Sequence, residues 1–427
     1  MPKLRLGCVA DDFTGASDMA SFLVRGGLKT EMIDGVPPLG WHPREDTAAV
    51  VIALKSRTIP VKDAVAQSLA SFRWLREHAT DCQLFFKYCS TFDSTPQGNI
   101  GPVIDAVMEA FDLPRVLVSP ALPVNGRTVY RGYLFVNGVP LAESPMRNHP
   151  LTPMHDSSLV RMMEQQGQYK GTVLDHNLLA CGSDAVRERI NSLAPEQRYL
   201  VADHFEPQHA EVLAHAMADA AFISGSSGLA EALARQHTQG DNEQPQTGFT
   251  APGKTLILAG SCSEATRDQV ARFVERGEGE SLRLDPAGLM NGELRDEAIW
   301  SWVSDQSCST CLVYSSDEPD RVSDAQRTLG LNVAERLEQA FAMLARRAVN
   351  AGIRKLVVAG GETSGAVTQA LGEQTFGVGP SVAPGVPIIQ TMGSDPLLLV
   401  LKSGNFGDQD FFHTAIEMMG GTQGEGY

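Results

Sequence analysis

The strongest constraint in the sequence is a regular alternation of short apolar runs with longer amphipathic stretches. Residues 4–10 read as a buried strand, residues 15–25 as a helix stopped by Gly26-Gly27, and residues 48–54 as a second strand. Residues 61–78 then place Val61, Ala64, Val65, Leu69, Phe72 and Leu75 at helical spacing. A strand at 84–88, a helix at 100–111 and a strand at 115–119 follow. Repeated β-α-β units of this kind require a mainly parallel sheet covered by helices on both faces. Residues 128–142 break the rhythm with two short strands around Val136-Asn137-Gly138, a hairpin signal because Asn-Gly tolerates the positive φ of a tight turn. The alternation resumes at 172–174, 199–202 and 221–224.

Residues 237–253 (HTQGDNEQPQTGFTAPG) are polar and rich in Gly, Pro and Gln, which is linker composition. A second series begins after them: strand 255–259, helix 265–276, strand 312–314, helix 333–350, strand 355–359, strand 397–401 and helix 411–419. A chain of 427 residues also exceeds the roughly 150 of an ordinary domain. The reading is two α/β domains with mainly parallel sheets, residues 1–236 and 254–427, with a ligand cleft between them.

Composition narrows the function. The 35 Lys and Arg against 51 Asp and Glu give a net charge of −16, which argues against nucleic acid or an anionic membrane as partner. A small anionic substrate is still allowed, because a few local cations outweigh the global field. The seven cysteines are odd in number and scattered, unlike a secreted disulfide framework. Cys308-Ser-Thr-Cys311 has no second pair or nearby histidines to complete a zinc site, and it runs into an apolar strand, so it reads as structural. The ten histidines form no HExxH and are assigned no metal. With no signal-peptide pattern and no apolar run of ~20 residues, the chain reads as cytoplasmic. A homodimer is compatible with all of this.

In open α/β sheets ligands bind where strands end and loops turn into helices. The first such loop is Ala10-Asp11-Asp12-Phe13-Thr14-Gly15-Ala16-Ser17-Asp18. Helix capping accounts for Ser17 and Asp18, but two aspartates still attached to a buried strand are costly unless paired or used as acid-base groups. The second loop carries Lys55 and Arg57. The third, residues 87–99, carries Lys87, Ser90, Thr91, Asp93 and Ser94. Cations for a carboxylate, with hydroxyls and aspartates for alcohol groups, are what a small polyol acid needs. Arg57 and Lys87 are the expected source of charge for that carboxylate.

Three Gly-rich turns stand at strand ends in the second half: Ala259-Gly260-Ser261-Cys262-Ser263, Ala359-Gly360-Gly361-Glu362-Thr363-Ser364-Gly365, and Lys402-Ser403-Gly404-Asn405-Phe406-Gly407. Glycine lets backbone approach phosphate, and helix-start N–H groups attract anions. None is a GxxxxGK[ST] or GxGxxG motif, and there is no GxSxG elbow. Together they suggest a nucleotide held by backbone rather than by a lysine hook. Ser261, Ser263, Gly360, Gly361, Glu362, Thr363 and Gly404 are the candidate contacts. The turn Ser224-Gly225-Ser226-Ser227-Gly228 fits either site or a helix cap equally well.

The motifs ADDFTGASD (10–18), LKSR (54–57), FKYCSTFDST (86–95), GNIGPV (98–103), SPALPVNGRT (119–128), AGSCS (259–263), AGGETSG (359–365), APGVP (383–387) and LKSGNFG (401–407) resemble the four-carbon acid sugar kinase family. KYCSTFDST and LKSGNFG are most similar to its 3-oxo-tetronate kinases, with the D-threonate and D-erythronate kinases as alternatives. The resemblance spans nearly the whole chain in order. It implies an N-terminal domain for the acid sugar, a C-terminal domain for ATP, and phosphorylation of the 4-hydroxyl of 3-dehydrotetronate. It places Asp12, Arg57 and Ser90–Ser94 on substrate positions, and Ser263, Gly360–Thr363 and Gly404 on nucleotide positions.

A kinase must align the acceptor hydroxyl with the γ-phosphate and neutralise charge with Mg²⁺. Glu362 suits either the ribose or a Mg²⁺-bound water. Adjacent residues leaving a strand point to opposite faces, so one of Asp11 and Asp12 is expected to enter the site. Asp12 is the expected base or orienter of the acceptor hydroxyl. A non-catalytic acid-sugar sensor leaves the second Gly-rich set unexplained, and the absent GxGxxG disfavours a dehydrogenase.

Overall fold

The computed structural model describes residues 4–149, 151–238, 248–315 and 333–420. The chain divides into two compact units, Met1–Pro245 and Gln246–Tyr427. Of the linker expected at 237–253, residues 239–247 lie outside the described residues, while His237 and Thr238 end a helix.

The first unit is built on a parallel sheet of β1 (Leu6–Ala10), β2 (Thr30–Asp34), β3 (Ala49–Ala53), β4 (Gln83–Lys87), β5 (Val116–Ser119), β9 (Lys170–Leu174), β10 (Gln197–Ala202) and β11 (Phe222–Gly225). Their order is β2-β3-β1-β4-β11-β5-β10-β9. Every pairing in it is parallel. The crossovers include α1 (Phe13–Arg25), α2 (Val61–His78) and α3 (Ile100–Ala110). β1, β3 and β4 are buried at every position, as central strands covered on both faces must be. The expected hairpin is a small antiparallel sheet of β6 (Arg127–Tyr130), β7 (Tyr133–Val136) and β8 (Val139–Pro140). Asn137 (φ 51°) and Gly138 (φ 80°) make its turn.

The second unit contains β12 (Thr255–Ala259), β13 (Glu280–Arg283), β14 (Thr310–Tyr314), β15 (Lys355–Ala359), β16 (Thr375–Ala383), β17 (Val386–Thr391) and β18 (Leu398–Lys402). They run in the order β13-β14-β12-β15-β18-β17-β16. β13 through β18 in that order are parallel; β17 and β16 are antiparallel additions. Sequence reading missed that pair because TFGVGPSVA carries Gly and Pro. The strand accommodates them through register shifts, and the APGVP motif is the turn between the two, with Gly385 at φ 82°. Cys311 is buried in β14, its thiol 3.6 Å from that of Cys308, and both are free.

Register places the chemistry. Ala10 lies level with Ala53 and with Lys87, so β1, β3 and β4 end together. In the second unit Ala259, Ala359 and Lys402 lie level, so β12, β15 and β18 end together. Each unit thus presents three loops on one sheet edge.

Helix α1 packs through its C-terminal end on α8 (Ala230–Thr238). A Cβ on Gly26 would clash with Ala234 Cβ and stand 2.6 Å from the Glu231 carbonyl oxygen. Gly26→Ala is therefore expected to lower stability by about 1–3 kcal/mol, read as a lower urea midpoint, with the KM for nucleotide unchanged.

Candidate active site

The three loops at the first sheet edge are tied together by charge. Arg57 donates from Nε to Asp11 Oδ2 and from Nη2 to Asp11 Oδ1, both at 2.9 Å, a two-point pairing. The same Nη2 donates to Asp12 Oδ1 at 2.6 Å, and Nη1 stands 3.8 Å from Asp93 Oδ2. Both aspartates therefore meet one guanidinium, which corrects the expectation that they face opposite ways. The strand has already ended at Ala10; Asp12 is the N-cap of α1, its Oδ1 accepting from the Gly15 N–H at 3.1 Å. The two still differ in access. The Asp11 side chain is 6% exposed and that of Asp12 is 30% exposed.

Burial pushes the Asp11 carboxyl up against the pull of Arg57. At Asp12 burial acts in the same direction, but Arg57 and Lys87 outweigh it and hold the carboxyl below its ordinary value. Lys87 is buried at the end of β4. Burial disfavours its ammonium, yet Asp18, Asp12 and Asp11 hold its pKa above the ordinary value. Asp18, one turn into α1, was passed over as a cap in the sequence. It is buried, raised by burial, and accepts from Ser227 Oγ at 2.5 Å. In the SGSSG turn Ser227 reaches the first sheet edge through Asp18, while Ser226 caps the short helix that follows, accepting from the Gly228 N–H.

The loop after β4 is braced from within. Thr91 Oγ1 donates to Asp93 Oδ1 at 2.7 Å, and Phe92 (φ 64°) and Asp93 (φ 33°) occupy the left-handed region. Such conformations persist only where the surroundings fix them. Ser94 accepts from Gln166 Nε2 at 2.9 Å, and Ser90 is half-buried beside Cys89. Asn99 donates to the carbonyls of Ser56, Arg57 and Ile59, fastening the Arg57 loop to the start of α3. Asp11, Ser56, Arg57, Asp93, Ser94 and Asn99 share one small cavity. Ser94 also lines a cleft of about 450 Å³ beside α4 (Leu159–Gln166), together with His155, Asp156 and Arg161. The structure thus gathers Asp11, Asp12, Arg57, Lys87, Thr91, Asp93 and Ser94, while Ser90 lies half-buried on the same loop. Sequence reading missed Gln166, and it read Asp18 only as a cap, because their contacts are long-range.

At the second edge, Ser263 caps α9 (Glu264–Arg276) and its Oγ donates to the Gly404 carbonyl at 2.6 Å. Ser261 Oγ donates to Ser263 Oγ at 3.2 Å. A Cβ on Gly404 would clash with Ser261 Oγ and stand 2.8 Å from Ser263 Oγ. Gly360 has φ 133° and begins α13 (Gly361–Leu371), while a Cβ on Gly361 would meet nothing within 4 Å. Helix α12 (Val333–Asn350) precedes that pair. Glu362 is exposed and Thr363 buried in the first turn of α13. Ser261, Ser263 and Gly404 therefore touch one another, and Gly360–Thr363 form the neighbouring helix start.

Residues 6–233 match the family model described as a sugar-binding N-terminal domain, and residues 256–412 match a nucleotide-binding C-terminal domain. A Brucella melitensis protein named 3-oxo-tetronate kinase is 46% identical over 421 residues, 96% of this chain and 95% of its own. A Cupriavidus necator protein of the same name is 45% identical over 425 residues, 97% of each chain. A solved structure from Salmonella typhimurium LT2 superposes with a TM-score of 0.90 at 44% identity, covering 96% of this chain and 98% of its own. One from Haemophilus influenzae gives 0.84 at 41%, covering 97% and 100%. A sugar-binding unit followed by a nucleotide-binding unit is the plan of a two-domain sugar kinase. The chain belongs to the four-carbon acid sugar kinase family, in the company of the 3-oxo-tetronate kinases.

The geometry separates the two aspartates by experiment. Asp12→Asn is expected to lower kcat by about 10²–10⁴ in the folded protein, and to lower the melting temperature because the charge that Arg57 and Lys87 favour is lost. Asp11→Asn removes the buried partner of Arg57 and is expected to cost about 3 kcal/mol of stability. Near-normal kcat in Asp12→Asn would move the acceptor role to Asp11. At the second edge, Gly361→Val is expected to raise the KM for nucleotide while the melting temperature holds, because this glycine has neither a positive φ nor a crowding neighbour. A fall in melting temperature with unchanged KM would make it a folding residue.

Proposed function

We propose that the chain transfers the γ-phosphoryl group of ATP to the 4-hydroxyl of 3-oxo-tetronate, the first unit holding the acid and the second the nucleotide. The observation that carries this reading is the division of the two loop sets. The carboxylate-guanidinium cluster of Asp11, Asp12 and Arg57 stands in the part that matches a sugar-binding model. The Gly-rich helix starts stand in the part that matches a nucleotide-binding model. Eight relatives named 3-oxo-tetronate kinase, at 42–46% identity over nearly their full length, supply the acceptor.

Asp12 is ionised at neutral pH and accessible, so it orients the acceptor hydroxyl and takes up its proton as the new P–O bond forms. Arg57 holds Asp12 in place, and its Nη1 is the part of the guanidinium least engaged by Asp11 and Asp12, facing the substrate anion. Lys87 offsets the remaining carboxylate charge. Thr91, Asp93 and Ser94, with Ser90 on the same loop, supply polar groups for the other oxygens of the acid. In the second unit the first-turn N–H groups of α13 at Gly361–Thr363 are the donors offered to the phosphates, with the Ser261 and Ser263 hydroxyls and Gly404 beside them. Among the described residues no three His, Cys, Asp or Glu side chains converge as a metal cage. Glu362, the exposed carboxylate at the helix start, is the residue that would meet a magnesium ion bound with the nucleotide, and the ion would help neutralise phosphate charge.

The test is ATP turnover with 3-oxo-tetronate, D-threonate and D-erythronate side by side, with ADP release coupled to a reporter and the product identified by mass. The expected result is a kcat/KM for 3-oxo-tetronate at least tenfold above the others. Preference for a reduced acid would transfer the assignment to that kinase, and binding of acid without turnover would make the protein a sensor.

A further inference from the structure

One side chain from outside the three loops grips the loop after β4. Gln166 is the last residue of α4. Its Oε1 accepts from the Gly101 N–H at 2.9 Å, one of the first-turn donors of α3 that find no partner inside the helix. Its Nε2 donates to Ser94 Oγ at 2.9 Å and to the Thr95 carbonyl at 2.7 Å, with the Ser94 carbonyl at 3.3 Å. Two glycines permit this approach. A Cβ on Gly101 would stand 2.6 Å from Gln166 Cβ, and one on Gly98 would stand 2.0 Å from Ser94 Oγ.

These partners fix where each hydrogen lies. A backbone N–H only donates and a carbonyl only accepts, so the Gln166 amide has one possible orientation. An amide nitrogen accepts nothing, so Ser94 Oγ is the acceptor in that contact and keeps its own hydrogen. Among the described residues no acceptor takes that hydrogen. Ser94 is buried and lines the same small cavity as Arg57. Arg57 Nη1 also makes no hydrogen bond among the described residues, its nearest carboxylate oxygen being Asp93 Oδ2 at 3.8 Å. Two unspent donors, one neutral and one charged, thus belong to residues that line one cavity.

We propose that Gln166 is a positioning residue for the acid, setting the Ser94 hydroxyl as a donor that binds the acid's carboxylate together with Arg57 Nη1. The inference rests on the first unit holding the acid.

The chemistry of the ligand explains why the direction matters. A carboxylate accepts only, so it gains from a hydroxyl whose hydrogen is free and nothing from one whose hydrogen is committed elsewhere. Without Gln166 the Ser94 hydroxyl is free to turn to a carbonyl of its own loop, as serine commonly does. With it, the hydrogen is already left for the ligand and no turning is needed on binding. In a pocket holding Asp11, Asp12 and Asp93, a neutral donor adds affinity for an anion without drawing on the two cations that those aspartates engage.

The experiment is steady-state ATP turnover by the full chain with 3-oxo-tetronate, varying each substrate in turn. Ser94→Ala and Gln166→Met are each expected to raise the KM for the acid about tenfold, with the KM for ATP unchanged. Gln166→Glu keeps the acceptor for the Gly101 N–H but, while ionised, accepts where the amide donated, so the Ser94 hydrogen turns to it. Burial beside carbonyls raises the pKa of such a carboxyl. Its KM for the acid, relative to the native chain at the same pH, is expected to be high at pH 8. It should fall back toward pH 5.5, where the carboxyl regains a hydrogen to donate. In the Ser94→Ala chain the same substitution is expected to give a ratio that does not change with pH. Titratable and charged groups near position 166 are Asp105 and Glu109 of α3, which meet Gln168, Glu164 with its partner Lys170, and His155, Asp156 and Arg161 in the cleft. They are common to both backgrounds, so their titration cancels from the comparison. An unchanged KM for the acid in Ser94→Ala or Gln166→Met would overturn the inference, and Gln166→Met decides it if Gln166→Glu does not fold. A pH-dependent ratio that persists without the Ser94 hydroxyl would make Gln166 a brace of the loop alone. No turnover of the acid by the native chain would overturn the reading of the first unit as well.

Discussion

Arg57 holds the ends of two strands together by charge, and the acceptor side of the proposed reaction depends on it. Its guanidinium takes Asp11 by two hydrogen bonds and Asp12 by a third, so the loop after β3 is fixed to the loop after β1. Without this cation, two neighbouring carboxylates would repel each other in a partly desolvated pocket. With it, they divide: Asp11 is sequestered, while Asp12 keeps a half-buried, ionised carboxylate at a helix N-terminus. Lys87 extends the same balance to Asp18, and Ser227 brings β11 into it. Four aspartates, Asp11, Asp12, Asp18 and Asp93, share two cations. Such a pocket favours hydroxyl groups and tolerates an anion only where a donor is left over.

The second unit solves a different problem. There the strand ends carry almost no charge, and order comes from hydrogen bonds onto a glycine carbonyl. Ser263, Thr266 and Lys402 hold Gly404, and Gln269 donates to the carbonyls of Phe406, Gly407 and Asp408 just beyond it. Helix α9 thereby grips the whole loop after β18. A loop fixed in this way needs little reorganisation to receive a ligand.

Much of this was legible in the sequence because the folding signals were local. The runs at 255–259 and 355–359 are elements with those bounds, since their apolar content sets them. β2 was not legible: Thr-Glu-Met-Ile-Asp reads as polar until Glu31 is seen accepting from Arg44 and Thr47. β16 hides behind its Gly and Pro, which the antiparallel pairing absorbs. Candidate residues were legible where chemistry clusters in one loop, as in Asp11-Asp12 and Gly360-Gly361. Asp18, Gln166 and Lys402 were not, because each acts across the fold. A lysine closing an apolar run looks like a solvated strand end, and only its burial shows otherwise.

The central claim is that the cluster at the ends of β1, β3 and β4 is where the acceptor sits. A crystal structure with 3-oxo-tetronate bound tests it most directly. The account predicts the acid's terminal hydroxyl within about 3 Å of Asp12 Oδ, in hydrogen-bonding range, with Arg57 still pairing Asp11. An acid seated wholly in the cleft between His155 and Arg161, with Asp12 out of reach, would contradict it.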